Sequence, residues 1–261
     1  MALASSPDNI ILGKGELFFD RHSAAGVRQG YFHLGNCQRF AVILNDDILS
    51  LNTSQDAAAG LLKRVTRSRE VNVEISSNEF AIQNLAMALM GDAGTFAQTS
   101  SAITGEILTT SVVAGRWYKT ANRNISGLVI TQGTVTLALT TDYLLHDSSA
   151  ALIQFKVGGA AVTATPATAA YTRASLSLDQ ILGATKTKIE GSLLFVPDPT
   201  TGPQFDVEIF RCSVSPGGEV GLISDEFGEY TFNMAALDDS AGSFGGSTTA
   251  PYFRMIQRGT T

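Results

Sequence analysis

Lys63, Arg64, Arg67 and Arg69 fall within seven positions of the stretch LLKRVTRSREVNVEI, residues 61–75. Clustered bases can neutralise the phosphates of nucleic acid. The rest of the chain argues against that use: 18 Lys plus Arg face 24 Asp plus Glu, and the net charge of -6 repels a polyanion. His22, His33 and His146 stand singly in turn-like contexts, with no HxxxH, CxxC or GxSxG nearby. GKG at 13–15 and PGG at 216–218 are too short to cradle phosphate and read as turns. Asp46-Asp47 and Asp238-Asp239 resemble carboxylate pairs, but neighbours on a strand point to opposite faces and need not share a proton or a metal. Exposed turn carboxylates are expected. Cys37 and Cys212 match no metal-ligand spacing and read as small buried thiols. No catalytic residue, cofactor or metal site is predicted, and the chain does not read as an enzyme.

The elements that position these residues are mostly strands. With 44% hydrophobic and 16% charged residues, 261 residues can bury a core in one large domain or two smaller ones. GELFFD (15–20), RFAVIL (39–44), EVNVEI (70–75), KIEGSLLFV (188–196), FDVEIFRCSV (205–214) and EYTFNM (229–234) are short, rich in β-branched and aromatic residues and bounded by turns. Val71, Val73 and Ile75 alternate with Glu70, Asn72 and Glu74, as a half-buried strand requires. Antiparallel β is the expected class. The exception is SSNEFAIQNLAMALMGD, residues 76–92, where a capping box of Ser76 and Glu79, an apolar stripe and Gly91 as a stop predict a helix. A shorter helical turn is predicted at 176–183.

Residues 1–14 read as an arm, with Ile10, Ile11 and Leu12 as an apolar cluster that cannot form a core alone. The span 93–171 is poor in charge and rich in Ala, Thr, Ser and Gly. It reads as an inserted β module with strands at 126–131, 134–140 and 151–157, joined through 141–150. Residues 45–69 form an excursion much longer than a usual hairpin loop. Asp46 and Asp47 lie at one end, Asp56 midway, the bases at the other, with apolar anchors at Ile48, Leu49, Leu51, Leu61 and Leu62. Such a mixture suits docking on a protein surface better than on DNA.

In order and wording, the chain resembles the major tail tube protein of long-tailed siphophages. The opening GKGELFFDRHSAAGVRQGYFHLGNCQRFAVILNDDILSLNTSQ and the closing GSLLFVPDPTTGPQFDVEIFRCSVSPGGEVGLISDEFGEYTFNMAAL carry the resemblance, over roughly residues 10–95 and 170–240. It implies a β-sandwich or barrel-like tube domain of residues 15–92 and 172–261, with one flanking helix and a long hairpin loop. It further implies hexameric rings stacked into a hollow tube that conducts viral DNA without binding it specifically. The arm and the hairpin loop then reach into the neighbouring ring, other tail proteins meet the tube ends, and no membrane is involved.

The expected place is the virion tail, after synthesis of a soluble chain in the host cytoplasm. Contacts between subunits and rings are expected at Ile10, Ile11, Leu12, Asp46, Asp47, Leu61, Leu62, Lys63, Arg64, Arg67 and Arg69. Strand parity carries Arg67 and Arg69 on the face of Val71, Val73 and Ile75. A different reading is a carbohydrate- or receptor-binding tail protein, with Trp117, Tyr118 and Tyr143 as its binding face. A glycosidase comes third, because the separation of two carboxylates is not legible in a sequence.

Overall fold

The computed structural model describes residues 9–55, 60–161, 165–198 and 201–258. Strands β1 (Gly15–Arg21) and β2 (Tyr31–His33) come first, then two long strands, β3 (Cys37–Asn52) and β4 (Leu61–Ser77). After helix α1 (Ile82–Ala88) follow β5 (Asp92–Gln98), β6 (Ser101–Thr109), β7 (Trp117–Lys119), β8 (Ile125–Gln132), β9 (Val135–Leu137), β10 (Tyr143–Asp147), β11 (Leu152–Phe155) and β12 (Ala167–Arg173). The chain ends with β13 (Leu176–Leu182), β14 (Ile189–Pro197), β15 (Phe205–Val220), β16 (Tyr230–Ala236) and β17 (Phe253–Gln257). It is a mainly β protein of antiparallel sheets, with one helix among the described residues.

Two compact units are formed, residues 1–93 with 181–261, and residues 94–180. The first holds an eight-stranded sheet in the order β2-β1-β14-β15-β16-β4-β3, with β17 also pairing β15. Alternation along the strands builds its core: Leu17 and Phe19 from β1, Val73 and Ile75 from β4, Phe232 and Met234 from β16 are all buried. Each such side chain contributes roughly 1.5–3 kcal/mol by leaving water. The glycine in β14 is required by this packing. A Cβ at Gly191 would lie 2.3 Å from the Phe19 ring and 2.5 Å from the Asp20 carbonyl oxygen. Buried Asp20 closes the turn after β1 by accepting the N–H groups of Gln29 and Gly30, each at 2.9 Å.

The second unit has a four-stranded sheet, β6-β12-β8-β9, and a three-stranded one, β10-β11-β7. Ile130, Tyr143, Ile153 and Phe155 form its main core. Asp142 accepts the N–H groups of Ala138 at 2.7 Å and Ala160 at 2.9 Å, which hold its carboxyl below the usual carboxylate range. The segment 141–150, read from sequence as a joint, contains strand β10. The chain leaves along β5 and returns along β13, and these two strands pair with each other.

Local sequence signals lose to sheet pairing in three places. The helix spans only Ile82–Ala88, because Ser76 and Ser77 continue β4 opposite Thr231 and Tyr230. The capping box is not formed: Ala81 is the N-cap without a side-chain bond, and the Glu79 carboxylate instead accepts the Asn36 N–H at 2.9 Å. Leu176–Leu182 is strand β13 rather than a helical turn. Pro216, Gly217 and Gly218 lie inside β15, at a bulge where the register against β16 jumps from Pro216↔Phe232 to Val220↔Tyr230.

Candidate functional site

The groups with chemical potential are engaged in structural contacts. His22 is buried, its ring stacked on Phe244 at 4.3 Å, and its Nε2 lies 3.0 Å from Ser192 Oγ. That hydroxyl donates to the Phe210 carbonyl at 2.6 Å, so the imidazole is a donor to the serine and not its base. Burial lowers the pKa of His22. This pair, 170 residues apart in the chain, has no sequence signature. His33 Nδ1 accepts the Gly35 N–H at 2.9 Å, and the His146 ring meets Trp117 edge-on at 5.2 Å. Asp239 is buried and organises a loop by accepting the N–H groups of Ser243, Phe244 and Gly246, while Asp238 accepts that of Ser240. Among the described residues, no three His, Cys, Asp or Glu converge as a metal site. The aromatic binding face is not assembled either. Tyr143 is buried and donates its hydroxyl to the Leu128 carbonyl, and Tyr118 packs edge-on against Phe155 inside the second unit.

Both cysteines are free, with Cys212 buried and Cys37 half-buried. Burial pushes the Cys37 thiol up to about 11 and the Cys212 thiol up to about 12. Neither is a nucleophile near neutrality.

The strongest functional feature is the ribbon built by β3 and β4. The expected loop excursion is an ordered ladder, running from Cys37↔Ser77 to Asn52↔Leu61. Among the described residues β16 pairs β4 only over Asn72–Ser77, so beyond Val71 the two strands pair there with each other alone. At the tip the Thr53 N–H donates to the Gly60 carbonyl at 2.8 Å. Asp56 lies outside the described residues.

Asp46 and Asp47 sit within β3, not in a turn, and each meets an arginine of the same ribbon. Arg69 Nε and Nη2 donate to Asp46 Oδ1 and Oδ2 at 2.7 and 3.0 Å, and Arg67 Nε donates to Asp47 Oδ2 at 2.8 Å. Arg69 holds the Asp46 carboxyl below the usual carboxylate range. The register jumps between Asp47↔Ser68 and Ile48↔Thr66, leaving Arg67 as the extra residue of a bulge. Arg69 therefore keeps the Val71 face, as the parity predicts, and the bulge turns Arg67 off it. The two arginines meet consecutive carboxylates, which point to opposite faces of the ribbon. Lys63 and Arg64 make no ion pair among the described residues. Leu49 lies opposite Val65 and Leu51 opposite Lys63, which makes one stripe, and Leu49, Leu51, Leu61 and Leu62 are each more than half exposed.

A second surface lies at one mouth of the first unit's core. An apolar groove of about 630 Å3 is lined by Ile11, Leu17, Phe40, Val42, Phe195 and Val207 among others. Ile10, Ile11 and Leu12 remain exposed, although Leu12 N–H approaches the Thr201 carbonyl at 3.4 Å and Gly202 leaves room for the Ile10 carbonyl. The third surface is the loop 221–229 between β15 and β16, with Ile223 99% and Phe227 97% exposed. Its signal in the sequence was present: apolar residues set among carboxylates, with no alternation to bury them.

The model of the family described as Protein of unknown function UCP028589 matches residues 10–256, and the chain belongs to that family. No curated protein matches the sequence. Among the described residues, no helix is long and apolar enough to cross a membrane.

Proposed function

We propose that this member of the family is a self-assembling structural protein: the tail tube subunit of a bacteriophage, which forms stacked hexameric rings around a conduit for viral DNA. One observation carries the reading. The β3–β4 ribbon projects past its sheet as two strands, with both edges unpaired among the described residues and leucines turned to water. Two strands alone are marginally stable in water, and free edges with exposed apolar side chains are a liability in a monomer. An assembly that covers the ribbon removes both problems. The charge distribution supports a conduit and not a DNA clamp. Arg67 and Arg69 are already neutralised by Asp47 and Asp46, and the chain carries -6 overall. A bore that gripped phosphates would retain the DNA it must release.

Negative-stain microscopy of the concentrated purified protein tests this reading. Hollow tubes of stacked six-membered rings are the expected result, together with duplex DNA binding too weak to measure at 150 mM salt. A protein that remains monomeric at all concentrations, or one that binds duplex tightly with a steep salt slope, overturns it.

A further inference from the structure

The first unit carries two complementary surfaces that it does not bring together. The loop 221–229 exposes Leu222, Ile223 and Phe227, each at least 79% accessible, within six residues. Single exposed apolar residues are ordinary, but three in one short loop mark a contact surface. Carboxylates surround them: Glu219, Asp225, Glu226 and Glu229, none of which forms an ion pair among the described residues. The groove has the opposite character. Its wall is apolar, and its rim carries Lys14, without an ion pair among the described residues, and Arg39, which shares Glu74 at 3.1 Å.

Within the chain itself Ile223 and Phe227 stay 99% and 97% exposed, so the loop does not fill its own groove, although it ends at Tyr230, which lies two strands from Cys37 of the groove wall through Ser77.

We infer that the loop 221–229 of one copy seats Ile223 and Phe227 in the apolar groove of a second copy, with its carboxylates against Lys14 and Arg39. The occupant is assigned to this same chain because both halves of the complement, apolar and ionic, are present on it. Since knob and groove are different surfaces, the contact is heterologous. Repeated head to tail, it closes a ring if the rotation allows and otherwise gives an open filament. The inference rests on the self-assembly proposed above and names the surfaces that join neighbours.

Cross-linking tests it in the full chain, with Cys37→Ser to remove the native thiol of the groove. Ser224→Cys sits between the two knob residues and Gln38→Cys on the groove rim, so neither removes an apolar contact. A one-to-one mixture of these two chains is expected to form a disulfide-linked dimer at least about tenfold faster than Ser224→Cys mixed with Val157→Cys, because docking raises the effective concentration. Adding Ile223→Asp and Phe227→Asp to the Ser224→Cys chain should abolish the excess. Equal rates in both mixtures, or an excess that survives the aspartates, overturns the inference. Tubes without the excess cross-link would sink this contact and leave the tube reading standing. The cross-link with only pairs or irregular chains by microscopy would sink the tube reading and uphold the contact.

Discussion

At the scale of single residues, charge and burial are settled by immediate neighbours. Asp46 shows how. Its carboxyl is held low by Arg69, so its contribution to the ribbon is fully present above the unfolded value, about 3.9, and is lost as pH falls through the lower folded value. A carboxyl-carbon titration of Asp46 should therefore give a midpoint below that of an unstructured aspartate, and Arg69→Gln should return it toward the ordinary value. The thiols shift the other way. With Cys37 pushed up to about 11, roughly one molecule in a thousand carries the thiolate at pH 8, against about one in four for a free cysteine. Alkylation by iodoacetamide at pH 8 is expected to be at least about a hundredfold slower than in the unfolded chain. For both cysteines the neutral form is favoured by folding, so the stability they contribute is whole below about 8.5 and declines as pH rises toward the folded values.

At the scale of elements, close approach decides more than propensity. β14 can lie against β1 only because Gly191 has no side chain where the Phe19 ring passes. Gly191→Ala should cost about 1–3 kcal/mol in urea unfolding, since ring or strand must shift. The ribbon is governed by cross-strand partners. Reversing the charge of Arg67 and Arg69 sets like charges opposite Asp47 and Asp46, and cross-strand repulsion destabilises a ladder. That double reversal would loosen the ribbon itself, so a loss of assembly from it could not be ascribed to a contact between rings. The leucines are the cleaner probe of that contact.

At the scale of the whole molecule, the ribbon, the groove and the loop 221–229 are surfaces that a solitary chain leaves open. Leu61→Ser with Leu62→Ser removes apolar area already exposed to water, so thermal unfolding of the monomer should move by no more than about 0.5 kcal/mol. Sedimentation at increasing concentration should nonetheless show weaker self-association than in the original protein. Unchanged association would mean that the ribbon tip takes no part in assembly. The ionic half of the loop contact has its own signature, because partly exposed charges are screened. Raising salt from 50 to 500 mM should slow cross-linking in the Ser224→Cys and Gln38→Cys mixture without abolishing it, since the apolar half persists.

The sequence by itself determined the class of the protein and most of its strands. Alternation of apolar and polar residues is a local signal, and it marked β1, β14, β15 and β16 to within a few residues at most of their ends. It also placed the interior face of β4 at Val71, Val73 and Ile75, all buried. What it could not supply was the partner of each segment. Ser76 and Ser77 read as a helix start until β16 and β3 offer them backbone hydrogen bonds, and 176–182 read as helical until β5 pairs it. The four bases read as contacts for acidic partners in a neighbouring ring, because the register that sets Arg69 on Asp46, and the bulge that sets Arg67 on Asp47, are properties of pairing between strands. The same holds for the groove, whose walls come from residues as distant as Ile11 and Met255. A one-residue shift in pairing turns a side chain from one face to the other, and only the tertiary structure fixes that choice.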